Sequence, residues 1–365
     1  MRIGIVTSFA AKQPAGLERF LLDLLQALEN LSGVDYVVYT KKGAGLADAL
    51  NGMGIKNIPV VEVGFGKLWK DIGLFLEPRA DAYIFNGPIV PAWFTPKNYF
   101  VILQDFAYRH IQPRSWREKL KRIILDVLTR LALQRAKKII TVSETTKQEL
   151  IRLFGIRPEL AVTIYPGFRR LCDIFQESVA GVSQPYFLYI GTLKERKNVL
   201  SVIKAFSQYK KDMGDRRQLV IAGKHNQLDP YVKKLHKLIE QEGIASEVVF
   251  TGLISDGQVS WLYQHAEALV FPSLLEGFGL PILEAMSCKI PVITSSTGSL
   301  AEVAGSAALL VNPLGVDEIA AGMKRIVSDS ELRAKLVAAG LDRLQIFSWS
   351  KTARELEQLV ISNLA

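Results

Sequence analysis

The sequence predicts an α/β protein of two parallel-sheet domains facing each other across a central cleft. Three observations lead there. At 365 residues the chain is longer than a single hydrophobic core usually serves, so two cores are expected. Short apolar runs alternate with helical patterns of about 10–15 residues, the signature of right-handed βαβ units and parallel sheets. That alternation occurs twice, and the YPGF turn at Tyr165–Phe168 separates the two sets. The expected division is therefore 1–168 and 169–346, followed by a terminal segment 347–365.

Each element has its own warrant. Arg2–Ser8 (RIGIVTS) reads as a buried strand, followed by a loop through Pro14 and Gly16 and a helix over Leu17–Leu28 with apolar spacing near 3.6. Strand-like runs follow at Tyr36–Thr40, Val60–Val63, Ala82–Asn86 and Phe100–Gln104. A long amphipathic helix is expected over Ser115–Lys138, then a strand at Lys138–Val142. Ser143 is placed to cap the helix carrying TTKQELI. Val162–Tyr165 leads into the boundary turn.

In the second half, strands are expected at Phe187–Gly191, Gln218–Gly223, Val248–Thr251, Ala268–Pro272, Pro291–Ser295 and Ala308–Val311. Helices are expected at Val199–Lys210, Pro230–Glu242, Val259–His265, from Pro281 to Cys288, from Leu300, and at Val316–Ser328, Glu331–Leu344 and Trp349–Leu364.

Composition narrows the function. Hydrophobic residues make up 49%, yet no apolar run approaches the roughly 18 residues needed to span a bilayer. The opening MRIGIVTSFAAKQPAG has too short an apolar segment and no small-residue cleavage site for a secretory signal. Cys172 and Cys288 lack C-x-x-C spacing and suit a reducing cytoplasm as free thiols. With four His and no His/Cys/Asp cluster at ligand spacing, no metal site is expected.

The net charge of +9 is uneven: residues 1–168 hold 23 Lys/Arg against 15 Asp/Glu, and residues 169–365 hold 22 against 21. Residues 106–140 alone count ten basic and two acidic, which points to an anionic partner for the first domain. On the helix in this region Trp116, Leu120, Ile123, Ile124, Val127 and Leu131 fall at helical spacing, which reads first as a core face. The basic residues between Arg114 and Lys138 would then form its outer surface and suit anionic lipid headgroups. Nucleic acid is not expected, since aromatic interleaving and a recognition-helix pattern are missing.

The richest stretch is FPSLLEGFGLPILEAM, Phe271–Met286. A strand feeds a loop holding Glu276, a Gly-Phe-Gly turn follows, and Pro281 opens a helix carrying Glu284. In open α/β sheets, ligands bind at the carboxyl ends of strands. Free N–H groups at a helix start seat phosphate. Two carboxylates for hydroxyls beside amides for phosphate describe a sugar-nucleotide site, with the backbone of Phe278, Gly279 and Leu280 approaching the ligand. As isolated residues, the two glutamates also fit solvated charges favouring the helix dipole.

A second constellation is FLYIGTLKERKN, 187–198. Gly191 ends a strand, and Arg196 and Lys197 precede a helix where they can neutralise a diphosphate, or simply be a solvated pair. A third is Pro14-Ala15-Gly16, whose glycine and helix start face phosphate or form a plain turn. GAGLAD at Gly43 is not a dinucleotide fingerprint, because Asp48 stands where the third glycine is needed.

Taken together, these words resemble the retaining glycosyltransferases of the GT-B fold, in the family-four group of bacterial mannosyl- and glucosyltransferases. The match rests on FPSLLEGFGLPILEAMSCKIPVITS, YIGTLKERKN, SLAEVAGSAALLVNPLGVDEIA, TVSETTKQEL and the final helix after FSW, in order along nearly the whole chain. The resemblance implies two Rossmann-like domains, with the helix of 347–365 crossing back to the first. It implies that Glu276 contacts the donor sugar, Glu284 the ribose, and Arg196 and Lys197 the diphosphate, with Gly16 closing over it. The GTLxxRKN wording leans towards mannose from GDP-mannose.

Two departures stand out. Gln104-Asp105 replaces a His-Asp pair on the acceptor side, which removes a titrating group there, and Ala15-Gly16 replaces a double glycine.

The resemblance implies metal-independent hexosyl transfer with retained configuration, from a nucleotide-sugar to a hydroxyl of a glycan or lipid-linked acceptor in cell-surface polysaccharide synthesis. Arg196, Lys197 and Glu276 would be catalytic, and the protein cytoplasmic or peripheral on the inner membrane face. The alternatives are a nucleotide-sugar epimerase or phosphorylase on the same fold, and a non-catalytic nucleotide-sugar-binding scaffold.

Overall fold

A computed structural model describes residues 1–8, 16–31, 33–87, 96–106, 109 and 115–364. The chain forms two compact units, Met1–Gly167 with Phe347–Ala365, and Phe168–Ile346.

In the first unit, seven strands form one sheet: β1 (Arg2–Thr7), β2 (Asp35–Lys41), β3 (Val60–Val63), β4 (Ala82–Asn86), β5 (Tyr99–Leu103), β6 (Lys138–Thr141) and β7 (Ala161–Thr163). Their order is β3-β2-β1-β4-β5-β6-β7, and every neighbouring pair is parallel. Buried on both faces, β1 reads IGIVT and β5 YFVIL with almost no polar residue, as central parallel strands require. Among the described residues the helices are α1 (Gly16–Glu29), α2 (Leu46–Gly52), α3 (Trp116–Arg135) and α4 (Glu144–Phe154). Ser143 caps α4 by accepting from Thr146 N at 3.0 Å.

Two elements differ from expectation. The pattern did not flag the segment after β3, where 3-10, π and α turns follow one another over Gly66–Leu68, Trp69–Gly73 and Leu74–Leu76. The second difference is the face α3 buries. Its core side carries Thr129 and Leu133, while Trp116, Leu120, Ile123, Ile124, Val127 and Leu131 are 46–69% exposed. The helix has two apolar stripes, and spacing alone does not say which meets the sheet. An ion pair between Arg109 and Asp126 lets the more polar stripe turn inward.

The second unit repeats the architecture with β8 (Tyr186–Ile190), β9 (Gln218–Ala222), β10 (Val248–Gly252), β11 (Ala268–Phe271), β12 (Val292–Ser295) and β13 (Leu309–Val311), ordered β10-β9-β8-β11-β12-β13. These pairs are parallel too. Its helices are α5 (Val199–Met213), α6 (Pro230–Glu242), α7 (Asp256–His265), α8 (Leu280–Ser287), α9 (Gly298–Ala304), α10 (Val316–Ser328) and α11 (Ser330–Leu344). The last helix, α12 (Trp349–Ser362), packs on α1 of the first unit. Phe20 meets Trp349 edge-on at 5.3 Å, and Thr352 Oγ1 donates to Tyr165 O at 2.6 Å. No described helix is long and apolar enough to cross a membrane.

The cysteines correct the reading of two free thiols. Cys172 and Cys288 form a disulfide across 116 residues, with Cα atoms 5.5 Å apart. Cys172 lies in a short turn at the start of the second unit, and Cys288 follows α8. Their spacing carries no trace of this proximity, which the packing of that turn against α8 creates. Closing so long a loop restricts the unfolded chain, so a Cys172→Ser/Cys288→Ser variant is expected to lose about 2–4 kcal/mol of stability. Urea melts of the oxidised protein and of the variant measure the difference.

Candidate active site

The sheet order of the second unit brings the first two constellations together. Moving outward from β8, the chain goes to β9 and β10 on one side and to β11, β12 and β13 on the other. The reversal falls between β8 and β11, which pair directly (Phe187 with Ala268, Leu188 with Leu269). Loops leaving the carboxyl ends of two such strands diverge and leave a crevice. The loop after β8 carries Arg196 and Lys197, and the loop after β11 carries Glu276.

These loops are bonded to one another. The Arg196 carbonyl accepts from Leu274 N at 2.8 Å, and Arg196 Nη1 donates to Leu275 O at 3.0 Å. Glu276 then meets both cations, its Oε2 at 3.2 Å from Arg196 Nη1 and its Oε1 at 2.5 Å from Lys197 Nζ. The Lys197 and Glu276 side chains are only 13% and 10% exposed, whereas Arg196 is 34% exposed. Lys197 Nζ also sits 5.2 Å from the centre of the Phe271 ring, a contact that favours a cation.

Asn198 holds the arrangement from below. Its backbone is left-handed (φ 60°), and its buried amide donates to Pro272 O at 2.9 Å and to Pro313 O at 2.6 Å. One side chain thus ties three loops of the unit together. Under the same loops, burial raises the Tyr189 phenol well above its usual pKa, and the Glu276 carboxylate adds to that shift.

Gly279 precedes α8 with φ 129°, where a Cβ would stand 2.8 Å from Leu300 Cδ2. Among the described residues no side chain caps α8; Pro281 brings no N–H to its first turn, and Ile282 N donates to Gly279 O at 3.0 Å. Leu280 and Pro281 form its first turn, and Phe278 beside them is buried. Glu284 is half-buried and accepts from Tyr263 Oη at 2.9 Å. Ser299 Oγ donates to the Glu276 carbonyl at 2.8 Å, fixing the loop from its other side.

Gly191 follows β8, and its N–H donates to Ala222 O at 2.9 Å. The next residue, Gly223, has φ 145°, and a Cβ there would lie 2.1 Å from the Gly191 carbonyl oxygen.

The remaining expected residues belong to the first unit. Gly16 opens α1 and is exposed, and among the described residues nothing lies within 4 Å of the position of a Cβ. Pro14, Ala15 and Arg114 lie outside the described residues. Gln104 and Asp105 follow β5 and are half-buried. Gln104 Nε2 is buried without a hydrogen-bond partner among the described residues.

Sequence reasoning missed Asn198 as a tie between loops, Tyr263 as the partner of Glu284, and Ser299. For Asn198 a signal existed: asparagine tolerates the left-handed backbone that a sharp helix entry needs. Tyr263 lies 21 residues before Glu284 and carried none.

Chemically, two cations against one carboxylate leave a net positive charge at a helix start, which attracts a polyanion. The carboxylate is an acceptor for hydroxyls.

Residues 173–343 match the family model described as "Glycosyl transferases group 1", and residues 14–169 match "Glycosyltransferase Family 4". Over 226 residues the chain is 34% identical to the O-antigen chain mannosyltransferase B of Escherichia coli, covering 60% of this chain and 58% of that one. It is 30% identical to the serotype-specific mannosyltransferase WbdA of Escherichia coli over 76% of this chain, but that match spans 35% of WbdA. The O-antigen chain mannosyltransferase RfbU of Salmonella typhimurium is 26% identical, with 83% and 84% covered. Thus the chain spans between about a third and three fifths of the length of the first two relatives.

Among solved structures, Anabaena Alr3699/HepE in complex with UDP-glucose superposes with a TM-score of 0.78 at 19% identity, covering 99% and 100% of the two chains. WaaG, a glycosyltransferase involved in lipopolysaccharide biosynthesis, superposes with a TM-score of 0.76 at 17% identity, covering 98% and 99%. With two parallel-sheet Rossmann-like domains and family models matched in both halves, the chain belongs to the group 1, family 4 glycosyltransferases of the GT-B fold.

Proposed function

We propose that this protein transfers a hexose, mannose from GDP-mannose, to a hydroxyl of a glycan or lipid-linked glycan in cell-surface polysaccharide synthesis, with retained anomeric configuration. The observation that carries this reading is the Arg196–Lys197–Glu276 cluster at the point where the second sheet reverses direction. The mannosyltransferase relatives support the choice of sugar, and the UDP-glucose complex of a structural neighbour supports a nucleotide-sugar donor.

Departure of the nucleoside diphosphate is the difficult step. Arg196 and Lys197 take up the negative charge that develops on the leaving group, aided by the positive end of the α8 dipole, and such preorganised groups contribute about 10²–10³ each in rate. Before the donor arrives, Glu276 pairs with both cations and offsets part of their charge. On binding, the diphosphate takes over that role and frees the carboxylate to accept from sugar hydroxyls. Glu284 accepts from the ribose diol, held in place by Tyr263. The acceptor hydroxyl attacks the anomeric carbon on the face the diphosphate leaves and gives its proton to a donor phosphate oxygen. Asp105 orients the acceptor, Gln104 contributes a hydrogen bond rather than a proton, and Gly16 meets donor phosphate. The reaction takes place on the inner face of the cell membrane, where α3 lays its exposed apolar stripe and its basic side chains on anionic lipid. Each such basic residue contributes about 1 kcal/mol near an anionic surface.

A thermal-shift screen against GDP-mannose, UDP-glucose and other nucleotide-sugars tests the donor. A ligand at about 100 times its Kd adds about 2.7 kcal/mol of stability. GDP-mannose is expected to raise Tm most. A larger shift with UDP-glucose overturns the mannose assignment, and no shift with any nucleotide-sugar overturns the donor site. Release of GDP in step with a mannosylated acceptor, its anomeric configuration read by NMR, separates transfer from epimerisation, phosphorolysis and mere binding.

A further inference from the structure

The two cysteines sit where they bear on Glu284. Cys288 ends α8 four positions after Glu284, so the two lie on one side of that helix, and Cys288 N donates to Glu284 O at 3.2 Å. Cys172 lies in the turn Leu171–Asp173, which packs on both α7 and α8. Its carbonyl accepts from Gln264 Nε2 of α7 at 3.3 Å. The residue before Gln264 is Tyr263, whose Oη donates to Glu284 Oε2 at 2.9 Å. A closed circuit results. α7 holds Glu284 through Tyr263, the turn holds α7 through Gln264, and the disulfide joins the turn back to α8.

Two features make this circuit depend on its covalent link. α8 has only eight residues, too few to keep its shape and place without tertiary contacts. Lys289, directly after Cys288, has a left-handed backbone (φ 59°), which a lysine keeps only while its surroundings fix it. Both cysteines are half-buried, so the bond is partly open to a small thiol. The chain holds no other cysteine, so reduction and reoxidation return to the same intramolecular pair.

We propose that Cys172–Cys288 is a redox modification site that sets the affinity for the donor. Oxidised, the pair clamps α8 against the turn and α7 and keeps Glu284 on Tyr263. Reduced, it lets the end of α8 and the Lys289 turn relax, and Glu284 is held less firmly for the ribose diol. This rests on the proposed reading of Glu284 as the ribose acceptor. In that reading the donor site faces the cytoplasm, where the disulfides that do form are mostly transient or redox-sensing. The exchange balances with glutathione. One glutathione thiolate attacks a cysteine sulfur, the S–S bond breaks, and the other cysteine leaves as a thiolate that takes a proton. A second glutathione thiolate attacks the mixed disulfide and releases the remaining cysteine. Two glutathiones are thereby oxidised to glutathione disulfide while the protein gains two thiols, and the reverse exchange restores the clamp.

Titration of the whole protein with its donor, in reduced-glutathione and in glutathione-disulfide buffer, tests this. The donor is the nucleotide-sugar giving the largest thermal shift, expected to be GDP-mannose, and alkylation with mass spectrometry reports the thiols. Both cysteines are expected to be alkylated in the first buffer and neither in the second. The reduced protein is expected to bind about 2–10-fold more weakly, the worth of one loosened hydrogen bond, and reoxidation to restore the affinity. Cys172→Ser/Cys288→Ser is expected to bind like the reduced wild type in both buffers. A disulfide that survives reduced glutathione is a permanent staple, and full reduction with unchanged affinity uncouples it from the site; either result overturns the proposal. If neither form binds any nucleotide-sugar, the donor reading falls, and amide exchange over Leu280–Ser287 decides the clamp. Faster exchange in the reduced protein supports it, and equal exchange in the two forms overturns it.

Discussion

Replacing Lys197 by alanine is expected to lower glycosyl transfer by about 10²–10³-fold, the value of one preorganised charge at a developing anion. The loss should appear in kcat more than in KM, because the leaving diphosphate gains charge as its bond to the sugar breaks. Glu276 keeps a partner in this variant, since Arg196 Nη1 stands 3.2 Å from its other oxygen. The carboxylate is therefore not left buried and alone, the circumstance that makes breaking such pairs costly. A single-turnover assay with labelled donor, alongside a melting curve, separates rate from stability. Near-normal turnover would sink the diphosphate assignment. Lys197→Arg keeps the charge but replaces a point cation by a planar fork, so a partial recovery is expected.

Gly223→Ala is expected to have the largest structural effect. At φ 145° an alanine is strained, and its Cβ would lie 2.1 Å from the Gly191 carbonyl oxygen. No flexible side-chain end stands there to move aside; the obstacle is backbone at the end of β8. Strain and overpacking each cost about 1–3 kcal/mol, so a loss of about 2–6 kcal/mol is expected. If the chain instead relaxes by moving the loop after Gly191, donor affinity falls, because that loop delivers Arg196 and Lys197. Urea unfolding and donor titration read the two outcomes. Unchanged stability together with unchanged affinity would show that the contact carries neither.

Much of the molecule was legible in the sequence because its signals are local. Buried parallel strands such as IGIVT and YFVIL announce themselves by unbroken apolar runs, and Ser143 announces a helix start. The words around Glu276, Glu284, Arg196 and Lys197 announce chemistry by residue type beside strand-end turns. The expectation for α3 failed where locality runs out. Its two apolar stripes are both helical in period, and the buried one was decided by the sheet beneath and by the Arg109–Asp126 pair. The segment Gly66–Leu76 escaped notice because it mixes three helical pitches, which blurs any single period.

By itself, then, the sequence determined the alternation of strands and helices, the two-unit plan and the residue types of the site, since each follows from hydrophobic period and turn chemistry within a few residues. The tertiary structure decided which of those residues meet. Arg196 and Glu276 lie 80 positions apart and touch because β8 and β11 are neighbours where the sheet reverses. Cys172 and Cys288 are joined, Tyr263 holds Glu284, and one apolar stripe of α3 faces outward for the same physical reason. Contact between distant segments depends on which strands pair and which faces pack, and no short-range pattern records that choice.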